Sequence, residues 1–122
     1  MEFCPHGTNL GEEYLQASKM LNDGFKIEPK WPTYQTAFLA LENFLKAYLL
    51  LKGASPGHGH DLRTALNEAK AKGLVLKVAP AVEEAVMKVS EYYPNGGRGE
   101  WTQVSPHLVI TFVDQVRRDA RL

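Results

Sequence analysis

The stretch from Pro32 to Lys52 constrains the fold of this chain more than any other part of its sequence. Its apolar residues recur every three or four positions and Gly53 follows it, which predicts one long helix. These residues form two stripes: Phe38, Leu41, Leu45 and Tyr48, and Ala37, Ala40, Phe44, Ala47 and Leu51. A helix that is apolar around most of its circumference must be covered on several sides. We expect either the central helix of a bundle or the core of a self-association surface.

Polar residues interrupt this helix at a few positions. Glu42 and Lys46 lie four residues apart in the order that favours an ion pair, and with Gln35 they predict a narrow solvated edge. The same polar positions, together with Asn43, exclude a membrane-spanning segment. We therefore expect no membrane association.

Helices are predicted on both sides of this segment. Residues 1–7 contain Pro5 and Gly7 and are expected to form an irregular arm. Thr8 or Asn9 is a candidate cap for a first helix, whose predicted apolar face consists of Leu10, Tyr14, Ala17, Ser18 and Leu21. A third helix is expected to begin near His60 or Asp61, with its buried face formed by Leu62, Ala65, Leu66 and Ala69.

Two more helices complete the predicted fold. The apolar run Leu74-Val75-Leu76 has no partner strand in this sequence, so we interpret it as a connector. Ala79-Pro80 opens a fourth helix, and Ser105-Pro106 caps a fifth, since proline is tolerated in a first turn. Their predicted inward residues are Val78, Val82, Ala85, Val86 and Val89, and Val109, Phe112, Val113 and Val116. The expected fold is an all-α, single-domain antiparallel bundle of about five helices, residues 1–122.

Composition restricts the possible classes of function only weakly. The chain has 122 residues, which suffices for one domain, and its 14 basic and 14 acidic residues give a net charge of zero. A balanced charge gives no general attraction to nucleic acid, although Arg117, Arg118 and Arg121 cluster at the C-terminus. Cys4 is a lone cysteine and no secretory signal is recognisable, so we expect a cytoplasmic protein.

Two places in the sequence are candidate sites. Arg98, Trp101 and His107 surround a Gly-rich turn before a helix N-terminus, where an anion and a stacked base could bind; a loop folded over the bundle is the alternative. His60 and Asp61 could bind a ligand, or they could fix the loop at a helix start. The terminal arginines are interpreted mainly as compensating the helix dipole, with phosphate binding as a second option.

Histidine and cysteine residues also occur near each other in two segments, as Cys4-Pro-His6 and His58-Gly-His60. Cysteine and histidine are zinc ligands, but this spacing matches no established zinc signature. We expect no metal site and no other cofactor.

The order of several motifs resembles a known family. The segment from Ala40 to Gly53, followed by His60-Asp61-Leu62 and Leu66 and then by Tyr92-Tyr93-Pro94, is similar to the HEPN domain (higher eukaryotes and prokaryotes nucleotide-binding) over residues 10–120. The resemblance implies a helical bundle that dimerises and binds a nucleotide, RNA or a partner protein. In toxin–antitoxin systems that partner is a nucleotidyltransferase-type antitoxin.

Some members of the family cleave RNA without metal, using an arginine and a histidine. The arginine holds the phosphate while the imidazole reaches the 2′-hydroxyl or the leaving oxygen. Here the nearest match is Arg98 with His107, and their spacing is longer than in the family motif. We therefore predict a non-catalytic or weakly catalytic HEPN-like homodimer. The alternatives are a metal-independent endoribonuclease that uses Arg98 and His107, and a pure interaction module.

Overall fold

The computed structural model describes residues 5–24, 31–55, 61–91 and 104–122. These parts of the chain form five helices and contain no strand, which confirms the all-α helical bundle. The helices are α1 (Pro5–Gly24), α2 (Trp31–Leu51), α3 (Leu62–Ala71), α4 (Pro80–Ser90) and α5 (Pro106–Ala120). No helix in these ranges is both long and apolar enough to cross a membrane.

The long predicted helix is α2, and it lies at the centre of the bundle. It packs against α1, α5 and α3. From Tyr34 to Leu49 its apolar side chains are buried, apart from Leu39, which is half-buried. The helices of its own chain therefore cover α2, and its apolarity does not require a second copy. Homodimerisation stays a prediction from the family resemblance.

The polar edge predicted on α2 is only partly correct. Glu42 and Lys46 do form an ion pair, with Lys46 Nζ 2.7 Å from Glu42 Oε2. However, Glu42 is buried rather than solvated, with 6% of its surface exposed. Burial of a carboxylate is tolerated when the group is paired, and here Lys46 one turn away supplies the charge.

The start and the buried face of α1 also differ from the prediction. The helix begins at Pro5, so residues 5–7 belong to it and not to an irregular arm. Leu10 is 40% exposed, whereas Ser18 is buried as predicted and Gly11 and Leu15, which were not predicted, are also buried. The cause is a close approach of α1 to α2, because a Cβ atom on Gly11 would lie only 2.6 Å from Phe44 Cε1.

A hydrogen bond accompanies this close approach. The Ser18 hydroxyl donates to the backbone carbonyl of Thr33 at 2.8 Å, and both residues are buried. The bond satisfies the hydroxyl, whose burial without a partner would lower the stability of the fold. The contact between α1 and α2 thus combines a glycine, a small hydroxyl residue and an aromatic ring.

The faces predicted for α3 and α5 are confirmed. All four predicted residues of α3 are buried, as are Val109, Phe112, Val113 and Val116 of α5. Ser105 caps α5 by accepting a hydrogen bond from Leu108 N at 3.1 Å. In α4, Val86 and Val89 are buried as predicted, while Val82 and Ala85 are half-buried and Met87 joins the core. The segment Leu74-Val75-Leu76 is a connector between α3 and α4.

Candidate functional site

A cleft of about 500 Å³ lies where the C-terminal ends of α2 and α5 meet the connector 72–79. We call it the basic cleft. It is lined by Tyr48, Leu51, Lys52, Gly73, Val75, Lys77, Arg118, Asp119, Ala120 and Arg121. Its size is that of a site for a small ligand.

Two glycines end the helices that border this cleft. Gly53 after α2 and Gly73 after α3 have φ values of +78° and +115°, in the left-handed region that favours glycine. After each, the next amide donates back to a carbonyl of the last helical turn: Ala54 N to Leu49 O at 2.8 Å, and Leu74 N to Ala69 O at 3.0 Å. These bonds satisfy carbonyls that would otherwise be unpaired at the helix ends.

Positive charge is concentrated in the basic cleft. Four cationic side chains, Lys52, Lys77, Arg118 and Arg121, and one carboxylate, Asp119, line it. Since Arg118 is paired with Asp114 at 2.7 Å, the formal charge that remains in the cleft is +2. The whole chain has a net charge of zero. In the part of the chain that the structure describes, Lys52, Lys77 and Arg121 form no ion pair with a carboxylate. Such a cluster attracts an anionic ligand.

The Asp119 carboxylate is used to hold backbone and side chain in place. Its Oδ2 accepts a hydrogen bond from the backbone N–H of Lys77 at 2.7 Å. Its Oδ1 accepts from Gln115 Nε2 at 2.9 Å. Asp119 therefore ties the connector to α5, and it does not pair with the cationic side chains of the cleft.

Apolar surface lies beside these charges. Val75 and Leu51 are 72% and 46% exposed, which is unusual for large aliphatic side chains in a chain that buries most of them. Tyr48 forms part of the cleft wall, and Lys52 Nζ lies 5.4 Å from the centroid of its ring. A ligand in the basic cleft would meet both cations and an apolar surface.

A second depression, of about 370 Å³, lies on the other side of Arg118, between α1 and α5. We call it the histidine depression. It is lined by Lys19, Asn22, Asp23, His107, Ile110, Thr111, Asp114, Gln115 and Arg118. Its two cations face two carboxylates, so its formal charge is zero with neutral histidine.

Asp114 accounts for most of this neutralisation. Its carboxylate lies 2.7 Å from Arg118 Nη2, 3.0 Å from Arg117 Nη2 and 3.9 Å from Lys19 Nζ. Arg117 also contacts Glu12 of α1 at 3.4 Å. The C-terminal arginine cluster is therefore divided: Arg117 ties α5 to α1, whereas Arg118 and Arg121 line the basic cleft.

The site residues predicted from the sequence lie in different parts of the structure. His107 is exposed in the first turn of α5 and lines the histidine depression. Asp61 caps α3, where its Oδ1 accepts from Thr64 N at 3.0 Å and its Oδ2 accepts from the Thr64 hydroxyl at 2.8 Å. This is the loop-fixing role, and Asp61 lines neither depression. Arg98, Trp101 and His60 lie outside the described residues.

The sequence did not predict the basic cleft as a site. The arginines at its edge form a cluster that is visible in the sequence, but Lys52 and Lys77 are distant from it and carry no motif. The sequence signal for this site is limited to Gly53 and Gly73, each of which predicts the end of a helix. The turn that follows such a glycine can bring residues such as Lys77 close to the end of another helix.

Within the described ranges, no group of three or more His, Cys, Asp or Glu side chains is arranged to hold a metal ion. Cys4, His58 and His60 lie outside those ranges. Comparison with family models, with curated proteins and with solved structures gave no match. The HEPN resemblance therefore stays a prediction.

Proposed function

We propose that the chain is a HEPN-like module that binds a phosphate-bearing ligand, a nucleotide or RNA, in the basic cleft. The observation that carries this proposal is the formal charge of +2 that remains in the cleft, with Arg118 paired to Asp114, in a chain whose net charge is zero. Lysine and arginine bind phosphate oxygens through charge-assisted hydrogen bonds, which are stronger than neutral ones. Lys52, Lys77 and Arg121 have no carboxylate partner among the described residues to compete with a phosphate.

The other residues of the cleft support a nucleotide over a simple inorganic anion. Val75 and Leu51 expose apolar surface that a base or a ribose can cover. Tyr48 also borders the cleft, but with only 5% of its surface exposed it adds little to this apolar surface. The volume of about 500 Å³ would accommodate a nucleotide-sized unit.

The test compares two lysines with different positions. A short, fluorescently labelled single-stranded RNA and a labelled nucleotide are titrated with wild type, Lys77→Gln and Lys88→Gln. Both variants lose one positive charge, but Lys88 is exposed on α4 outside the cleft. We expect Lys77→Gln to weaken binding about tenfold, as for loss of one charge-assisted hydrogen bond, and Lys88→Gln to leave it unchanged. Equal effects would show non-specific attraction and contradict the proposal.

The second candidate function is the metal-independent endoribonuclease. It is favoured by one observation: His107 is exposed in the same depression as Lys19 and Arg118. In this reaction the imidazole accepts the proton of a 2′-hydroxyl, whose oxygen attacks the adjacent phosphorus. The 5′-oxygen leaves and takes up a proton, so that the products are a cyclic phosphate and a 5′-hydroxyl. The cations, with Arg98 in the family-derived role, stabilise the charge on phosphate.

This alternative is tested by cleavage of end-labelled RNA in the presence of a chelator. Products formed by wild type and lost in His107→Ala would support the endoribonuclease. Intact RNA with both proteins would contradict it and leave the binding module.

Two further proposals rest on the family resemblance and not on the cleft. They are a homodimer and a nucleotidyltransferase-type antitoxin as partner. Light scattering at micromolar concentration tests the dimer, and a monomer would contradict it. Co-purification with the product of a neighbouring gene tests the antitoxin.

A further inference from the structure

We infer that Asp119 is a positioning residue of the basic cleft, which holds the connector that carries Lys77 and Val75 against α5. The inference rests on the proposed function, because the basic cleft is the site that Asp119 would organise. The charge of this carboxylate repels an anionic ligand, but its hydrogen bond to the connector supports binding of that ligand.

The geometry that carries this inference is the hydrogen bond between Asp119 and the connector. Asp119 Oδ2 accepts from the Lys77 backbone N–H at 2.7 Å, a link between residues 42 positions apart in the chain. The bond is short and charge-assisted, and such bonds are about twice as strong as neutral ones. It fixes the backbone at the residue whose side chain faces the cleft.

The carboxylate itself is held from a second side. Gln115, one turn earlier on α5, donates from Nε2 to Asp119 Oδ1 at 2.9 Å. Both Asp119 and Gln115 are half-buried, whereas Lys77 is exposed. A chain of two hydrogen bonds therefore runs from α5 through Asp119 to the connector, with the flexible lysine at its end.

The connector between α3 and α4 has no helical hydrogen bonds of its own to fix its backbone near the cleft. Gly73 sets the turn that leaves α3, and Pro80 begins α4, so the residues between them are outside any helix. Val75 is 72% exposed and cannot anchor this segment by burial. Leu74 is buried and Leu76 and Val78 pack against the core, whereas the Asp119 bond fixes the backbone of the exposed Lys77 that lies between the last two.

The electrostatic and the positioning roles of Asp119 predict opposite results. If Asp119 acted only through its charge, its removal would strengthen binding of an anion by about threefold for a charge several ångströms from the ligand. If it positions the connector, its removal would release Lys77 and weaken binding. Two substitutions separate these effects.

Asp119→Asn removes the charge and keeps the hydrogen bonds. Its amide oxygen can accept from Lys77 N–H, and a rotated Gln115 amide can pair with its other end. Asp119→Ala removes both. We expect Asp119→Asn to bind the labelled RNA about threefold more tightly than wild type, and Asp119→Ala to bind about tenfold more weakly.

Gln115→Ala provides a second test that leaves every charge of the cleft in place. A positioning role predicts about threefold weaker binding, because the carboxylate loses its partner on α5. A purely electrostatic role predicts no change. Circular dichroism and thermal unfolding of each variant establish that the bundle is intact.

The experiment includes a readout that needs no ligand. Hydrogen exchange of the Lys77 amide, followed by NMR, should be slow in wild type and Asp119→Asn and fast in Asp119→Ala. Equal protection in all three proteins, or tighter RNA binding by Asp119→Ala than by wild type, would overturn the inference. If wild type binds neither RNA nor nucleotide, the proposed function fails, and the exchange rate of Lys77 still decides the role of Asp119.

Discussion

Helix α2 passes through two environments that differ in how they use its side chains. From Tyr34 to Leu49 its apolar residues are buried, apart from the half-buried Leu39, and most have no exposed surface. At its C-terminal end, Leu50 and Leu51 are about half exposed, and Lys52 lines the basic cleft. The buried part contributes dispersion and the hydrophobic effect, which hold the bundle together. The end contributes charge and apolar surface that remain accessible to a ligand.

This difference implies that stability and ligand binding can be changed separately. Substitutions in the buried part of α2 should lower the free energy of unfolding, whereas substitutions at its end should change binding with little effect on stability.

The largest effect is expected from truncation in the buried part of α2. Phe44 has no exposed surface and contacts α1 at Gly11, so Phe44→Ala would leave a cavity and lower the free energy of unfolding by about 3–5 kcal/mol. Leu50→Ala, on the half-exposed turn of the same helix, should change it by about 0.5 kcal/mol or less. Urea denaturation measures both values. Similar losses for the two variants would contradict the contrast.

The next effect concerns the cleft. The double variant Lys52→Gln/Arg121→Gln removes two cations that have no carboxylate partner among the described residues. Each cation should contribute about 1.4 kcal/mol to phosphate binding. If the sites are independent, RNA binding should weaken about hundredfold. The slope of log K against log salt should become less steep by about 1.4. The midpoint of urea denaturation should stay close to that of wild type, and a large loss of stability would show that these cations serve the fold.

A smaller effect on stability is expected at the contact between α1 and α2. Gly11→Ala would place a Cβ atom 2.6 Å from Phe44 Cε1, so the ring or the helix must shift at a cost of about 1–3 kcal/mol. Gly24→Ala is the matched control, because no atom lies within 4 Å of its added Cβ, and it should be neutral or slightly stabilising.

A double-mutant cycle sharpens this prediction. Phe44→Leu removes the ring atoms that Gly11→Ala would meet, so the second substitution should cost less in that background. If Gly11→Ala lowers the free energy of unfolding equally in wild type and in Phe44→Leu, the close approach to the ring is not what selects glycine at position 11.

These sites also show how far the sequence could predict the molecule. The bounds of α2 and the buried faces of α3 and α5 followed from apolar periodicity, because each of these faces is marked by large apolar residues. The buried face of α1 followed only in part: Ser18 is buried as predicted, but Gly11 is buried by a close helix contact and has no apolar signature. Glu42 was misjudged for a similar reason, because pairing with Lys46 allows its burial.

The candidate site was harder to predict than the fold. Asp61 and His107 stand beside recognisable helix starts, and the cap formed by Asp61 was predicted. The basic cleft depends on the meeting of three segments, contributed by Lys52, Lys77 and the end of α5. Local patterns describe each segment by itself, whereas the combination of their charges arises only when the bundle forms.

The smallest effect is expected on the surface between α3 and α4, away from both environments of α2. Arg63 bonds the carboxylate of Glu84 at 3.1 and 3.3 Å, and these bonds lower the pKa of Glu84 below its ordinary value of 4.5. A lowered pKa in the folded state means that the pair stabilises the protein above pH 4.5, and that this contribution is lost as pH falls through the folded-state value.

Glu84→Gln should therefore reduce thermal stability slightly at neutral pH, and the difference from wild type should vanish in acid. Because the pair is exposed, about 1 M NaCl should also remove most of the difference. A difference that persists in acid would assign the effect to packing of Glu84 and not to its charge.

The most direct test of the account is a map of the ligand-binding surface. Isotope-labelled protein is titrated with a short single-stranded RNA and followed by NMR chemical shifts. Binding in the basic cleft predicts the largest shifts at Lys52, Val75, Lys77 and Arg121, with residues 34–47 of α2 unchanged. Shifts centred on Lys19, His107 and Thr111 would instead assign the ligand to the histidine depression. Either that result or an absence of shifts would contradict the claim that the end of α2 forms the binding site.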